Sequence, residues 1–288
     1  MGSGHISHVL HDEASEDCNL ENAERLKGYF NRFGHHGSSE PTLGNLRQIT
    51  WLHQLAIAFE NLDIVLFLRP ISLTMDDIFD KLVISGRGGF CFEHNGLLAQ
   101  ALTWMGYGVT MGYSTWLSDE GEQIPPFDHL LLQVGIPGDA TSWLADAGFG
   151  RESPARPVPL QPDREDHYPE TGLTYRVLPF KSVERQWAVQ WRASSDDWAP
   201  LYDLDLRPRS MADYEHRSRY HQTSPDSHFM RGPICSRPMT NGRVSFAHGT
   251  LTLTHNGQRE ERVLSGPEEE RSVLHQWFGI DLSQEEQT

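Results

Sequence analysis

The chain has 288 residues, 38% of them hydrophobic, enough for one large domain or two to three small ones sharing an interface. A formal net charge of −16 excludes nucleic acid and anionic membranes as general partners, so any anionic ligand must be held by local groups working against the overall field. No apolar run is long enough to span a bilayer, and the three well-separated cysteines (Cys18, Cys91, Cys235) make no disulfide framework, so a cytoplasmic protein is expected.

Residues 1–21 are polar and acidic and read as a weakly ordered extension. They hold His5, His8 and His11, the densest group of histidines, which read as a frayed terminus. The sequence has no CxxC pair, HExxH or tight His/Cys quartet, so no metal is expected. From about Asn22 to Met105 the pattern is helical. NAERLKGYFNRFG sets Leu26, Tyr29, Phe30 and Phe33 at helical spacing and stops at Gly34, and TLGNLRQITWLHQLAIAF repeats the pattern with Leu43, Leu46, Ile49, Leu52 and Ile57. TMDDIFDKLV offers Thr74 as an N-cap, with Asp76 and Asp77 in the first turn, where the helix dipole favours anions. After Cys91, the residues Leu97, Leu98, Ala101, Leu102 and Met105 form one stripe that ends before Gly106. Each stripe reads as core packing rather than a cofactor-binding face.

Beyond Gly106 the period shortens. YGVTMGYSTWL, FDHLLLQV, TSWLADAGFG, TYRVLPF and RQWAVQWRA read as short strands to about Ala193, with PVPLQPDREDHYPETG a long polar loop among them. From about Ser210 the pattern mixes. A helix is expected over Met211 to Tyr220, then strands through VSFAHGTLTLTHNGQREERVL with hairpin turns at Asn241-Gly242 and Asn256-Gly257. A last helix has Ser265 and Pro267 at its cap and first turn, with Glu268 closing a capping box. The resulting organisation is α+β: a helical unit over 22–106, a β-rich unit over 107–208 and a mixed unit over 209–288.

The segment RGGFCFEHNG, Arg87 to Gly96, places a cysteine directly after a Gly-Gly pair, where a helix begins. A cysteine nucleophile must ionise; a helix N-terminus and an adjacent imidazolium favour that, and a third group should orient the imidazole. Gly88 and Gly89 would let the backbone turn sharply and a substrate come close. In FDHLLLQV, His129, Leu131 and Gln133 share one strand face, while Leu130, Leu132 and Val134 form a core face, so His129 points into a cleft or into solvent. Asp146 follows apolar Trp143-Leu144-Ala145, a costly place for a carboxylate without a partner. Held behind His129, it would complete a Cys-His-Asp triad. Spacing alone leaves the plainer alternative open: a buried cysteine, a surface histidine and a turn aspartate.

RGGFCFEHNG, FENLD (Phe59 to Asp63), FDHLLLQV and WLADAGFG occur in the order and spacing of the arylamine N-acetyltransferases, and the chain resembles that family from about Glu24 to Leu282. The RGG-aromatic-Cys-aromatic-Glu segment is the most specific of these motifs. The resemblance implies a helical bundle, a β-barrel and an α/β lid with a cysteine-protease-like triad: Cys91 as acetyl-accepting nucleophile, His129 as base and Asp146 as its orienter. It makes Glu60 and Arg87 a structural ion pair near the site. Phe59 and Phe229 become aromatics of the acceptor pocket, with core packing as the alternative for each. Gly148, Phe149, Gly150 and Arg151 become a loop beside the pantetheine arm of coenzyme A. The chain lacks the long insertion of vertebrate members and so looks more like the microbial ones. There are two departures. Ala58 stands where proline is common, and Asp128 stands where many members have threonine. Asp128 should point away from His129, yet a second carboxylate there would affect acceptor preference or the pH profile.

The chemistry implied by the resemblance is ping-pong acetyl transfer from acetyl-CoA, through an acetyl-cysteine, to arylamines, arylhydroxylamines or arylhydrazines. Acetyl-CoA is then a cosubstrate, with no metal and no permanently bound cofactor, and the protein is expected to be a monomer or weak homo-oligomer without nucleic-acid or membrane partners. Rival readings are a cysteine hydrolase, a macrolactam-forming amide synthase using the same triad, and a binding protein with a vestigial triad. Malonyl-CoA or propionyl-CoA as donor stays open.

Overall fold

The computed structural model describes residues 16–115, 126–150, 153–162, 164–169, 171–179, 186–193, 197–256 and 258–282. Its first part is helical: α1 (Glu16–Arg32), α2 (Leu43–Ala56), the single turn α3 (Leu62–Val65), α4 (Met75–Phe79), which continues into a π-helical turn at Asp80–Ile84, and α5 (Cys91–Trp104). α1 thus begins six residues before the point at which the helical pattern was legible. Thr42 and Thr74 cap α2 and α4, their hydroxyls accepting the N–H groups of Asn45 and Asp77. α2 stops at Ala56, because Ile57 is already extended. α5 is buried on nearly every side, eleven of its fourteen residues being shielded, so it is the central helix rather than an amphipathic one at the surface.

A two-residue strand, β1 (Phe59–Glu60), precedes the long sheet. β2 (Gly108–Thr115), β3 (His129–Gly135), β4 (Ser142–Ala145), β5 (Val158–Pro159), β6 (Asp166–Tyr168), β7 (Leu173–Pro179), β8 (Gln186–Arg192) and β9 (Ala199–Arg209) form an eight-stranded antiparallel sheet. Its order is β5-β4-β3-β2-β9-β8-β7-β6, and Pro162 bridges Val177, so the two edges approach and the barrel is nearly closed. β3 serves both sides. Leu131 joins a core drawn from the barrel strands alone, while Leu130, Leu132 and Val134 pack with the helices.

After β9 come a 3-10 turn (Met211–Tyr214), α6 (Glu215–Thr223), a second 3-10 turn (His228–Met230), the meander β10 (Ile234–Met239), β11 (Gly242–Ala247), β12 (Thr250–His255), β13 (Gln258–Val263), and α7 (Pro267–Phe278). The second sheet runs β1-β10-β11-β12-β13, so two residues from the helical part of the chain form its first strand. Several local expectations change. β5 and β6 lie inside the stretch that reads as a polar loop, and β9 and β10 carry prolines (Pro200, Pro208, Pro238) that hide their strand character. Gly242 already pairs with Met239, so the first hairpin turn falls on Thr240-Asn241. A further turn uses His248-Gly249, with φ of 50° and 72°. Gly257 lies outside the described residues. Gly266, not Ser265, caps α7, and Glu269 rather than Glu268 reaches back to the Ser265 N–H at 2.6 Å.

Candidate active site

Cys91 is the first residue of α5, at the buried floor where the helices meet the barrel. Glu93 closes this helix start from inside, its Oε2 accepting the Phe90 N–H at 3.0 Å. The glycines before the cysteine serve close packing rather than unusual torsions. A Cβ on Gly88 would lie 2.1 Å from the Ala58 carbonyl, and one on Gly89 would lie 2.7 Å from Glu93 Oε2. Gly148 is needed for the same reason, because its Cβ would stand 2.8 Å from Cys91 Cα. The loop after β4 can therefore press directly on the start of α5.

The thiol lies against the main chain on both sides of His129. Sγ is 3.9 Å from the Asp128 carbonyl, and the Leu130 N–H favours its ionised form. Burial, then the carboxylates of Asp128 and Asp146, push the thiol up, against the pull of the Leu130 and Phe92 N–H groups. Ionisation therefore calls for a proton acceptor, and His129 lies between the two residues whose main chain meets the thiol. Its Nε2 lies 2.8 Å from Asp146 Oδ2. Since a carboxylate only accepts, Nε2 carries the hydrogen and Nδ1 is free to act as a base.

Asp146 immediately follows β4 and is saturated with donors. Oδ1 accepts from Asn95 Nδ2 at 2.9 Å and the Gly148 N–H at 3.0 Å, while Oδ2 accepts from Tyr202 Oη at 3.0 Å as well as from His129. Burial alone would raise this carboxyl. His129, helped by Asn95 and Gly148, outweighs burial and holds it below the usual carboxylate range. Asn95 and Tyr202 went unread in the sequence. Asn95 lies one helical turn after Cys91, a spacing that could have marked it, whereas Tyr202 sits on the proline-flanked β9.

Asp128 turns the other way, as expected, towards α6. Arg217 grips its Oδ1 through Nε (2.7 Å) and Nη2, and His221 Nε2 lies 3.2 Å from the same oxygen, close enough for ion pairing though off-line for a hydrogen bond. Burial raises the Asp128 carboxyl, but His221 and Arg217 outweigh it and keep the group below its ordinary range. Aromatic rings crowd the residues that flank Cys91. Phe90 meets Phe92 and Phe229 edge-on, and Phe229 lies 5.9 Å from the Phe59 ring. The two acceptor-pocket candidates are thus in contact, Phe229 buried and Phe59 partly open.

Glu60 and Arg87 are paired in full burial, with Glu60 Oε1 accepting from Arg87 Nε (3.0 Å) and Nη2 (2.7 Å). The pair belongs to a larger network. Asp63 also binds Arg87, Lys81 bridges Asp63 and Glu93, and Glu60 Oε2 accepts the Leu62 N–H. Burial lifts Glu93 to about 6 despite Lys81. This network fixes the segment entering α5. On the opposite side Phe149 leans edge-on over His129 at 5.2 Å and over Tyr202 at 4.9 Å, and Gly150 adopts φ of 90°. Arg151 lies outside the described residues. Among the described residues no group of three or more His, Cys, Asp or Glu side chains is placed to hold a metal, and no helix is long and apolar enough to cross a membrane.

A helical layer, a nearly closed barrel, a buried cysteine at a helix start and a histidine–carboxylate pair on the adjoining strands suit covalent group transfer. A model of the N-acetyltransferase family matches residues 42–287. The chain is 32% identical over 264 residues to the arylamine N-acetyltransferase of Mycolicibacterium smegmatis, covering 89% of this chain and 92% of that protein. It is 30% identical over 260 residues to the arylamine N-acetyltransferase / N-hydroxyarylamine O-acetyltransferase of Salmonella typhimurium, covering 90% and 89%. The solved structure of Mycobacterium marinum arylamine N-acetyltransferase in complex with CoA matches with a TM-score of 0.81 at 30% identity, covering 90% of this chain and 94% of that one. The chain belongs to the arylamine N-acetyltransferase family and is an acyltransferase.

Proposed function

We propose that this protein moves an acetyl group from acetyl-CoA to arylamines, arylhydroxylamines or arylhydrazines in two half-reactions through Cys91. The observation that carries the reading is the position of the Cys91 sulfur against residues 128–130, beside an imidazole whose other nitrogen is bound to a donor-saturated carboxylate. The thiol proton passes to His129 Nδ1 as the sulfur attacks the thioester carbonyl. The tetrahedral intermediate collapses, the C–S bond to coenzyme A breaks, and His129 returns the proton to the departing thiolate. The acceptor nitrogen then attacks acetyl-Cys91, His129 takes the N–H proton, and the Cys91 thiolate leaves and is reprotonated. Asp146 keeps the imidazole in the required tautomer and stabilises its charged form. Coenzyme A is expected along Gly148, Phe149 and Gly150, with Arg151 offsetting the acidic field of the chain.

We read the molecule as three units, over 22–106, 107–208 and 209–288, the last acting as a lid. The contacts of Arg217 with Asp128 and of Phe229 with Phe59 support that role. The free thiols of Cys91 and Cys235 favour a reducing, cytoplasmic setting. Phe90, Phe92 and Phe229 would keep water off the acyl-enzyme until the amine arrives. The test follows from that dryness. Mixed with acetyl-CoA and no amine, the protein should release one equivalent of coenzyme A and retain one acetyl group on Cys91 by intact mass and peptide mapping. An arylamine or arylhydrazine should then discharge it, and Cys91→Ser should give no burst. Continuous coenzyme A release without amine would instead identify a hydrolase.

A further inference from the structure

We infer that Asp128, Arg217 and His221 form an electrostatic couple that makes ionisation of Cys91 depend on the seating of α6. This rests on Cys91 being the nucleophile, and adds to that reading a positioning device that the triad alone does not contain.

The argument starts from the residue beside His129. Asp128 uses its carbonyl and its carboxylate in different directions: the carbonyl faces the Cys91 sulfur, and the carboxylate faces α6. Of the two carboxylates near the thiol, Asp128 opposes its ionisation more strongly than Asp146. A bare negative charge there would suppress the thiolate on which the first half-reaction depends. Arg217 neutralises it, and the His221 ring lies 3.2 Å from the same Asp128 oxygen. Both belong to α6, and Arg217 lies 89 residues from Asp128 along the chain, so the compensating charge arrives only when α6 is packed in place.

Both partners are held firmly. Arg217 is only 10% exposed, and the face of its guanidinium rests 4.0 Å from the centroid of the Tyr220 ring. His221 is wedged among Phe90, Phe92 and Phe229, with ring centroids 6.5, 6.0 and 5.0 Å away, and the first two of these flank Cys91 in sequence. The titratable and charged groups around the thiol are therefore His129 and Asp146 from the barrel, Asp128 just before β3, Tyr214, Arg217 and His221 from the segment entering and forming α6, and His228 behind His221. Asp128 combines a charge unfavourable to the thiolate with a compensating guanidinium supplied by α6, 89 residues away.

The test compares the wild type with Asp128→Asn, Arg217→Met and the double variant, reading the pH dependence of Cys91 alkylation by iodoacetamide and the rate of the acetyl-CoA burst. Removing the Arg217 charge should move the alkylation midpoint up by about one pH unit and slow the burst about tenfold near neutral pH, the size expected of one uncompensated charge in a partly screened site. Asp128→Asn should move the midpoint down by a similar amount, and the double variant should return close to the wild type. Arg217→Lys, which keeps the charge, should shift less than Arg217→Met. If Arg217→Met does not fold, Asp128→Asn and the double variant still decide the matter, because their midpoints must differ in the stated direction. Unmoved midpoints, or single variants shifting the same way, overturn the couple. A wild-type protein that never acetylates Cys91 would instead overturn the proposed reaction.

Discussion

Two buried histidine systems meet the same helix, and only in one of them is the imidazole seen to bond a carboxylate. From Cys91 and Asn95, α5 faces His129 and Asp146. From His94, one turn away from Cys91, it faces His53 and Tyr29. The second system is a chain of hydrogen bonds: Tyr29 Oη to His53 Nδ1 at 2.8 Å, His53 Nε2 to His94 Nδ1 at 3.0 Å, and His94 Nε2 to the Ala58 carbonyl at 3.0 Å. The carbonyl can only accept, which fixes every link: His94 Nε2–H donates to it, His53 Nε2–H donates to His94, and the tyrosine hydroxyl donates to His53. Every ring is neutral and satisfied. An added proton could be accommodated by turning the tyrosine hydroxyl to accept, but it would leave a charge in full burial with no carboxylate hydrogen-bonded to either ring.

The His129 system ends differently, in a carboxylate that also accepts only but carries a charge. Its imidazole keeps an unused lone pair, and the imidazolium it would form is stabilised by Asp146. Burial lowers His94 to about 4 and His53 well below the usual histidine range. The comparison teaches that burial alone disfavours the charged imidazole, and that a donor-saturated carboxylate behind it is what would let His129 serve as the proposed base.

The largest way to break this contrast is Asp146→Asn. The amide removes the charge that distinguishes the two systems, and turnover should fall about 10⁴-fold with the fold retained. Steady-state N-acetylation alongside thermal melting checks it; near-normal turnover in a folded variant would leave the two histidine systems functionally equivalent.

Acidification sharpens the contrast from the other side. His94 has a folded value of about 4 against roughly 6.5 unfolded, so between these values the unfolded chain binds more protons. The stabilisation is complete above the unfolded value and is lost as pH falls towards 4, amounting to about 3 kcal/mol, with His53 acting in the same direction. Urea unfolding across that window should show the decline, and His94→Gln should flatten it. A wild-type curve without slope would mean that the chain tolerates a proton.

The smallest effect is expected from Tyr29→Phe. The change strands the His53 Nδ1 acceptor and should cost about 1–2 kcal/mol in denaturant unfolding while turnover stays unchanged. A large loss of activity would show that the neutral chain communicates with the catalytic system after all.

The proposed nucleophile, base and orienting carboxylate each carry a local mark: a thiol after Gly-Gly at a helix start, a polar residue on a strand whose other face is apolar, and a charge at the end of an apolar strand. Only the family resemblance singled them out as a triad. The donors around Asp146 were not legible. Tyr202 occupies a strand interrupted at its ends by Pro200 and Pro208, and hydrophobic alternation gives no clue that its hydroxyl reaches 56 residues back. Asp128 was visible as an odd carboxylate, but its partners were not singled out, Arg217 lying within an expected helix and His221 just past its expected end. β1 is two residues long, below the length at which periodicity can distinguish a strand from a turn.

By itself the sequence determined most of the succession of helices and strands and the helix start beneath Cys91, because these depend on spacing over one or two turns and on the closeness of approach that Gly88 and Gly89 allow. Tertiary structure alone decided which polar groups meet. Whether a buried histidine becomes a base or an inert link depends on its second hydrogen-bond partner, and here those partners come from other elements: Asp146 lies 17 residues from His129, Tyr29 lies 24 from His53, and Arg217 lies 89 from Asp128. Burial makes each of these choices costly to leave unmade, so the packing of the barrel and α6 against α5 sets the electrostatics of the site.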